Sequence, residues 1–172
     1  MLDVHEEGLL MEAGVRGYPH IFVLGPPRSG TTLLYQLMVQ SLGLAYFCNI
    51  VDEHPRFAVT LTRLLRSRMR SHQSDFESNY GRTKSIVGPS EGLHIWRQWF
   101  PDSYIDEHYL TDRMMLAIQQ TLGAISETMQ SSFVNKDPHH CVRVRVLNSL
   151  FPNALFIVIK RDPVATAESM LK

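Results

Sequence analysis

Residues 25–32 read Gly-Pro-Pro-Arg-Ser-Gly-Thr-Thr, and their types and spacing suit the holding of an anion. Gly25 and Gly30 bound a tight loop, and Gly30 lets the backbone approach a ligand closely. Thr31 and Thr32 open an apolar stripe at helical spacing, so the loop delivers any ligand to the first turn of a helix. There the backbone N–H groups lack intrahelical acceptors and the macrodipole is positive. Phosphate and sulfate are the anions this arrangement suits best. The glycine spacing matches that of nucleotide triphosphatase loops, but those carry Lys where this chain has Thr31. The cation sits earlier, at Arg28.

The elements around the loop follow from pattern. Ile21 to Leu24 are an unbroken apolar run, and Leu33, Leu34, Leu37, Met38 and Leu42 recur at intervals of three and four. This is a buried strand, a loop and a helix. Residues 1–19 form a lead-in with Gly8, Gly14 and Gly17. Leu44 to Val51 is a candidate second strand. Pro55 starts a helix to about Met69, on which Arg63, Arg66, Arg68 and Arg70 read as a solvated face. Residues 71–92 are rich in Ser, Gly and Asn and predict a long loop. The aromatic stretch Leu93 to Phe100, with Trp96 and Trp99, reads as core and ends at Pro101. Residues 107–131 carry the clearest helix, with Met114, Met115, Ile118, Leu122, Ile125 and Met129 on one face. Residues 132–136 predict a short strand. Asp137-Pro138 predicts a helix start, with His139 and His140 as surface features of it. Residues 142–150 read as helix and Phe151-Pro152-Asn153 as a turn. Ala154 to Ile159 predict another fully apolar strand, closed by Lys160-Arg161-Asp162-Pro163 and a last helix that reaches Lys172 without a cap. Alternating strands and helices predict an α/β fold, a P-loop-like three-layer α/β/α arrangement with a central parallel sheet, in one domain over 1–172. The uncapped last helix predicts that the natural protein continues with more helix and a further strand.

Composition narrows the function classes. The chain has 172 residues, 44% hydrophobic and 20% charged, enough for one domain with a real core. Its 17 Lys and Arg balance 17 Asp and Glu, which gives no argument for nucleic acid as a partner. No stretch approaches the roughly 20 apolar residues of a membrane span. The acidic start, Met-Leu-Asp-Val-His-Glu-Glu, is not a signal peptide, so the expected location is cytoplasmic. Cys48 and Cys141 form no metal or redox motif and read as reduced core thiols.

Pro-x-Arg-Ser-Gly-Thr-Thr resembles the 5′-phosphosulfate loop of sulfotransferases that use 3′-phosphoadenosine 5′-phosphosulfate. A second segment, Arg161-Asp162-Pro163 with Ser169 eight residues after the Arg, resembles the 3′-phosphate site of the same family. A guanidinium offers phosphate a planar fork, and a hydroxyl on the next helix adds a donor. Asn135-Lys136-Asp137-Pro138 and Leu150-Phe151-Pro152-Asn153-Ala154 also look like this family. The likeness is closest to the bacterial-type and tyrosylprotein-like branch, whose loop carries Arg. It covers roughly 20–42 and 133–171, and only loosely the middle of the chain.

What the resemblance implies is a transferase moving a sulfuryl group to a hydroxyl or amine, with 3′,5′-adenosine bisphosphate as product and no metal in the scheme. Arg28 and the Ser29, Gly30, Thr31 and Thr32 segment would hold the 5′-phosphosulfate. Arg161 and Ser169 would hold the 3′-phosphate, and Lys136 would be a second cation. Glu91, in a Gly/Pro loop, is the first candidate for general base, with Glu53 and His94 as alternatives. The acceptor stays open among carbohydrate, lipid, peptide and small alcohol. The competing readings are a P-loop kinase or triphosphatase relative and a non-catalytic nucleotide-binding fragment.

Overall fold

The structure is a computed structural model that describes residues 6, 8–10, 17–79, 81–100 and 107–171. Gly14 in the lead-in, the break at Pro101 and the chain end at Lys172 lie outside the described residues.

Three short parallel strands form the sheet: β1 (Ile21–Leu24), β2 (Val134–Lys136) and β3 (Leu155–Val158), in the order β2-β1-β3. Ile21 is level with Val134 on one side and with Leu155 on the other. β1 is buried along its whole length, as its apolar run requires. The helices in chain order are α1 (Thr31–Leu42), α2 (Asn49–Glu53), α3 (Ala58–Arg70), α4 (Leu93–Arg97), α5 (Asp112–Met129), α6 (Val144–Leu150) and α7 (Pro163–Met170). The α/β class with a parallel sheet flanked by helices is therefore the one expected. The chain leaves β1 for β2 on one side, then crosses to β3 on the other. That reversal opens a crevice at the carboxyl ends of the strands, where open α/β sheets bind ligands.

The core is aromatic. Phe22, Phe47, Trp96, Phe100 and Phe133 are fully buried, with Ile118, Leu122 and Ile125 of α5 beside them. Trp96 stacks on Phe100 with ring centroids 5.8 Å apart and meets Phe47 edge-on at 6.0 Å. α5 packs on α3. The Arg70 guanidinium donates to the Met129 carbonyl at 2.7 Å and that of Arg66 to Gln130 Oε1 at 2.9 Å. These two arginines hold the carbonyl end of α5, where a cation is favoured, rather than a purely solvated face. Glu6 caps α3 from the lead-in, accepting from the backbone N–H of Val59 at 2.7 Å and of Thr60 at 2.9 Å.

Several expectations need correction. Leu44 to Val51 is not a strand. Ala45 makes one parallel bridge to Phe133 and Cys48 one antiparallel bridge to Pro89, and then α2 begins. The run is apolar because Leu44 to Cys48 are buried, and Asn49 turns the chain by anchoring its amide on Thr83 and Ser85. β3 is the apolar strand expected, with Leu155 and Val158 56% and 62% exposed and β1 its one strand neighbour among the described residues. Cys48 is buried, and burial pushes its thiol up to about 11. Cys141 is instead exposed, because the 3₁₀ turn Pro138–Val142 sends His140 inward and Cys141 outward. His140 is therefore not a surface feature.

Candidate active site

The loop after β1 is shaped by its glycines. A Cβ on Gly25 would lie 2.8 Å from both Ser29 Oγ and Thr31 Cγ2, so only glycine fits where the loop folds over itself. Gly30 has φ of 97°, in the region that favours glycine, and sits at the N-cap of α1. Arg28 has φ of 65°. Ser29 closes the turn, its N–H and its hydroxyl both donating to the Pro26 carbonyl, at 3.2 and 2.7 Å. That hydroxyl hydrogen is committed inside the loop. Thr31 and Thr32 lie in the first turn of α1, facing a pocket of about 400 Å³.

The same pocket gathers residues far apart in sequence. Arg28, Gly30, Thr31 and Thr32 come from the loop and α1, Lys136 from the end of β2, Arg161 from the segment after β3 and Ser169 from α7. Arg28 Nε lies 3.1 Å from Ser169 Oγ and 3.2 Å from the Ser169 carbonyl, and donates to both. Arg161 Nη1 donates to the Arg28 carbonyl at 2.7 Å. The two motifs are thus tied directly to each other. Both terminal nitrogens of Arg28 remain without a protein partner among the described residues. Each strand of the sheet delivers one cation to this crevice.

Glu91 enters the pocket from the long loop and forms an ion pair with Lys136, whose side chain is 5% exposed against 23% for Glu91. Burial raises the Glu91 carboxyl above the usual range, and the Lys136 ammonium opposes that shift. A Cβ on Gly81 would run into the Glu91 carboxylate, and Gly81 has φ of 84°. Gly81 is therefore a site residue that sequence reasoning missed, and its only sequence signal is a glycine within a polar loop.

Beneath Glu91 lies a second arrangement that pattern did not give. Asn135, fully buried on β2 next to Lys136, donates from Nδ2 to the Glu91 carbonyl at 3.2 Å. That fixes its Oδ1 to accept from Trp96 Nε1 at 2.9 Å and from His140 Nε2 at 2.7 Å. His140 thus carries its proton on Nε2, and burial lowers its pKa to about 4, which keeps it neutral. Asp137 accepts from the His139 N–H at 3.0 Å to start the 3₁₀ turn and pairs with Arg143, both side chains being buried.

The other two candidate bases lie in a neighbouring cavity of about 220 Å³ rather than among Arg28, Lys136 and Arg161. Glu53 pairs with Arg82 at the surface. His94 Nδ1 is 3.5 Å from Asp52 Oδ2, and Asp52 also accepts from the His94 N–H at 2.8 Å and from Ser90 Oγ at 2.8 Å. Asp52, which pattern did not single out, caps α4 from α2.

Residues 19–172 match the family described as the sulfotransferase family. The chain is 26% identical over 172 aligned residues to the omega-hydroxy-beta-dihydromenaquinone-9 sulfotransferase Stf3 of Mycobacterium tuberculosis and of Mycobacterium bovis, covering 89% of this chain and 44% of the relative. With a Caenorhabditis briggsae protein named for protein-tyrosine sulfotransferase activity it shares 24% over 152 residues, 88% of this chain and 42% of that one. Among solved structures, sulfotransferase STF9 from Mycobacterium avium superposes with a TM-score of 0.61 at 23% identity, over 97% of this chain and 48% of that chain. At that identity the likeness speaks for the fold alone. The chain spans less than half the length of these relatives.

Proposed function

Because the chain belongs to the sulfotransferase family, we propose that it moves a sulfuryl group from 3′-phosphoadenosine 5′-phosphosulfate to a hydroxyl or amine acceptor by in-line displacement. The observation that carries the proposal is the convergence of Arg28, Lys136 and Arg161, one at or just past the carboxyl end of each strand, on a pocket that Glu91 also lines. The site fits such a donor. A pocket of about 400 Å³ lies over the first turn of α1, and a side chain at Gly25 would collide with the loop that forms it. The donor supplies an activated sulfuryl group, whose transfer breaks its bond to the bridging phosphate oxygen and makes one to the acceptor.

The chain's own residues supply the rest. The free terminal nitrogens of Arg28 and the N–H groups at the start of α1 hold the 5′-phosphosulfate, with the Thr31 and Thr32 hydroxyls beside them. Ser29 supports this by bracing the turn. Arg161 and Ser169 hold the 3′-phosphate, and their bonds to Arg28 make the two phosphate sites one unit. Lys136 neutralises charge as it develops on the departing oxygen, a preorganised electrostatic role of the kind that dominates many rate enhancements. Glu91 takes the acceptor's proton. Its support over Glu53 and His94 is its place on the Lys136 ammonium. Replacement Glu91→Gln keeps the shape and removes the base, so the rate of bisphosphate formation from donor plus acceptor should fall about 10²–10⁴-fold. A variant that keeps the wild-type rate would remove Glu91 from the mechanism.

A further inference from the structure

Glu91 is gripped at both ends by neighbouring residues of β2. Its carboxylate is paired with the Lys136 ammonium, and its backbone carbonyl accepts from Asn135 Nδ2 at 3.2 Å. Successive side chains of a strand point to opposite faces, so the two grips come from opposite sides of β2. They differ in what else can reach them. Lys136 lines the donor pocket, where a bound phosphate competes for its charge. Asn135 does not line that pocket and is fully buried. Its orientation is fixed by its partners. Trp96 Nε1 can only donate, and it meets Oδ1 at 2.9 Å, so Nδ2 is left to the Glu91 carbonyl, which can only accept. His140 Nε2 meets the same Oδ1 at 2.7 Å. Trp96 and His140 are fully buried and packed edge-on, 4.9 Å between ring centroids, so turning the amide over would break both bonds. The residues on either side of Glu91 are held from elsewhere. The Ser90 N–H donates to the Phe47 carbonyl at 2.7 Å, the Tyr35 hydroxyl to the Ser90 carbonyl at 3.0 Å, and the Trp96 N–H to the Gly92 carbonyl at 2.8 Å.

We infer that Asn135 is a positioning residue for Glu91, keeping its carboxylate at the transfer site while Lys136 is drawn to the donor. The inference rests on the donor and base readings above and adds to them the group that acts through Glu91. The clamp has a releasable arm and a permanent one. The ion pair orders Glu91 in the free protein and weakens when a phosphate takes the ammonium. The Asn135 bond is uncharged and out of the phosphate's reach, so it persists. A neutral amide holds the loop without lowering the basicity of the carboxylate, as a second cation in its place would.

Two variants with different side effects test it. Asn135→Asp keeps an oxygen for Trp96 and His140 and sets a second one where the donor nitrogen stood. Asn135→Ser withdraws the donor by shortening the side chain and adds no charge. Both are checked by their melting curves. The Glu91 carboxyl is followed by ¹³C NMR, its resonance identified by its absence in Glu91→Gln, in the free protein and with 3′,5′-adenosine bisphosphate at saturation. In the free protein the resonance stays single in wild type and in both variants, because Lys136 holds it. With bisphosphate bound it stays single in wild type, but splits or broadens away in Asn135→Asp and Asn135→Ser. Affinity for the bisphosphate does not fall in either variant, since Asn135 does not line its pocket. A single resonance in the bound variants would overturn the clamp. So would the same disturbance in free and bound protein, which is what a merely structural role gives. A wild type that does not bind the bisphosphate would overturn the donor reading, and the clamp with it.

Discussion

Lys136 cannot serve Glu91 and an incoming phosphate equally. In the free protein its ammonium is paired with Glu91, and both side chains are largely buried. Burial holds the Glu91 carboxyl up and Lys136 pulls it back down, so under the proposed chemistry a donor phosphate that drew Lys136 away would make Glu91 a stronger base. One consequence separates binding from chemistry. Glu91→Gln removes an anion that competes for Lys136 and repels phosphate, so it should tighten 3′,5′-adenosine bisphosphate binding by about tenfold even as transfer is lost. Calorimetric titration of the two proteins checks this, and an unchanged or weaker affinity in the variant contradicts it. Gly81→Ala tests the same pair from outside. Its methyl would displace the Glu91 carboxylate, and transfer should fall at least about tenfold, as misplacement of a catalytic group does. Wild-type turnover in Gly81→Ala would show that the carboxylate position is not critical.

At the scale of elements, the loop after β1 and its helix were legible because glycine positions and pattern coincide in one short stretch. Gly25 and Gly30 mark positions that need glycine, Arg28 supplies charge, and Leu33, Leu34 and Leu37 give a helical stripe. β1 and β3 were legible as apolar runs of strand length. Leu44 to Val51 was not, because its residues are buried by neighbours from other parts of the chain and only Ala45 and Cys48 make bridges. The support beneath Glu91 was illegible for a related reason. Asn135, Trp96 and His140 come from β2, α4 and the turn before α6, and only the fold joins them. Trp96→Phe deletes one hydrogen to Asn135 and leaves a cavity in the core, which together should cost at least about 1–3 kcal/mol of stability, measured by denaturant unfolding. A variant as stable as the wild type would contradict the role given to that bond. Gly25→Ala should lower bisphosphate affinity at least about tenfold, because the loop must open to admit the methyl group.

Across the whole molecule, stability and ligand binding depend on two buried imidazoles and three strand ends. His20 and His140 are both held near a pKa of about 4 by burial, against 6.5 when unfolded. The unfolded chain therefore binds protons that the fold does not, and the stability these groups contribute is complete above about pH 6.5 and lost as pH falls toward 4. The slope should approach about 1.4 kcal/mol per pH unit for each histidine within that window. Melting temperatures from pH 7 to pH 5 check it, and a flat profile contradicts it. The crevice itself depends on the reversal of strand order at β1, and Arg28, Lys136 and Arg161 stand at the carboxyl ends of the three strands. Under the proposed function, this crevice recognises an adenosine with phosphates at both the 3′ and 5′ positions. The direct measurement is calorimetric titration with 3′,5′-adenosine bisphosphate beside ATP and ADP, on the wild type and on Arg161→Ala. Binding of the bisphosphate in preference to both, weakened about 10²-fold in the variant, is the predicted result. Preference for ATP with magnesium, or a bisphosphate affinity untouched by Arg161→Ala, would contradict it.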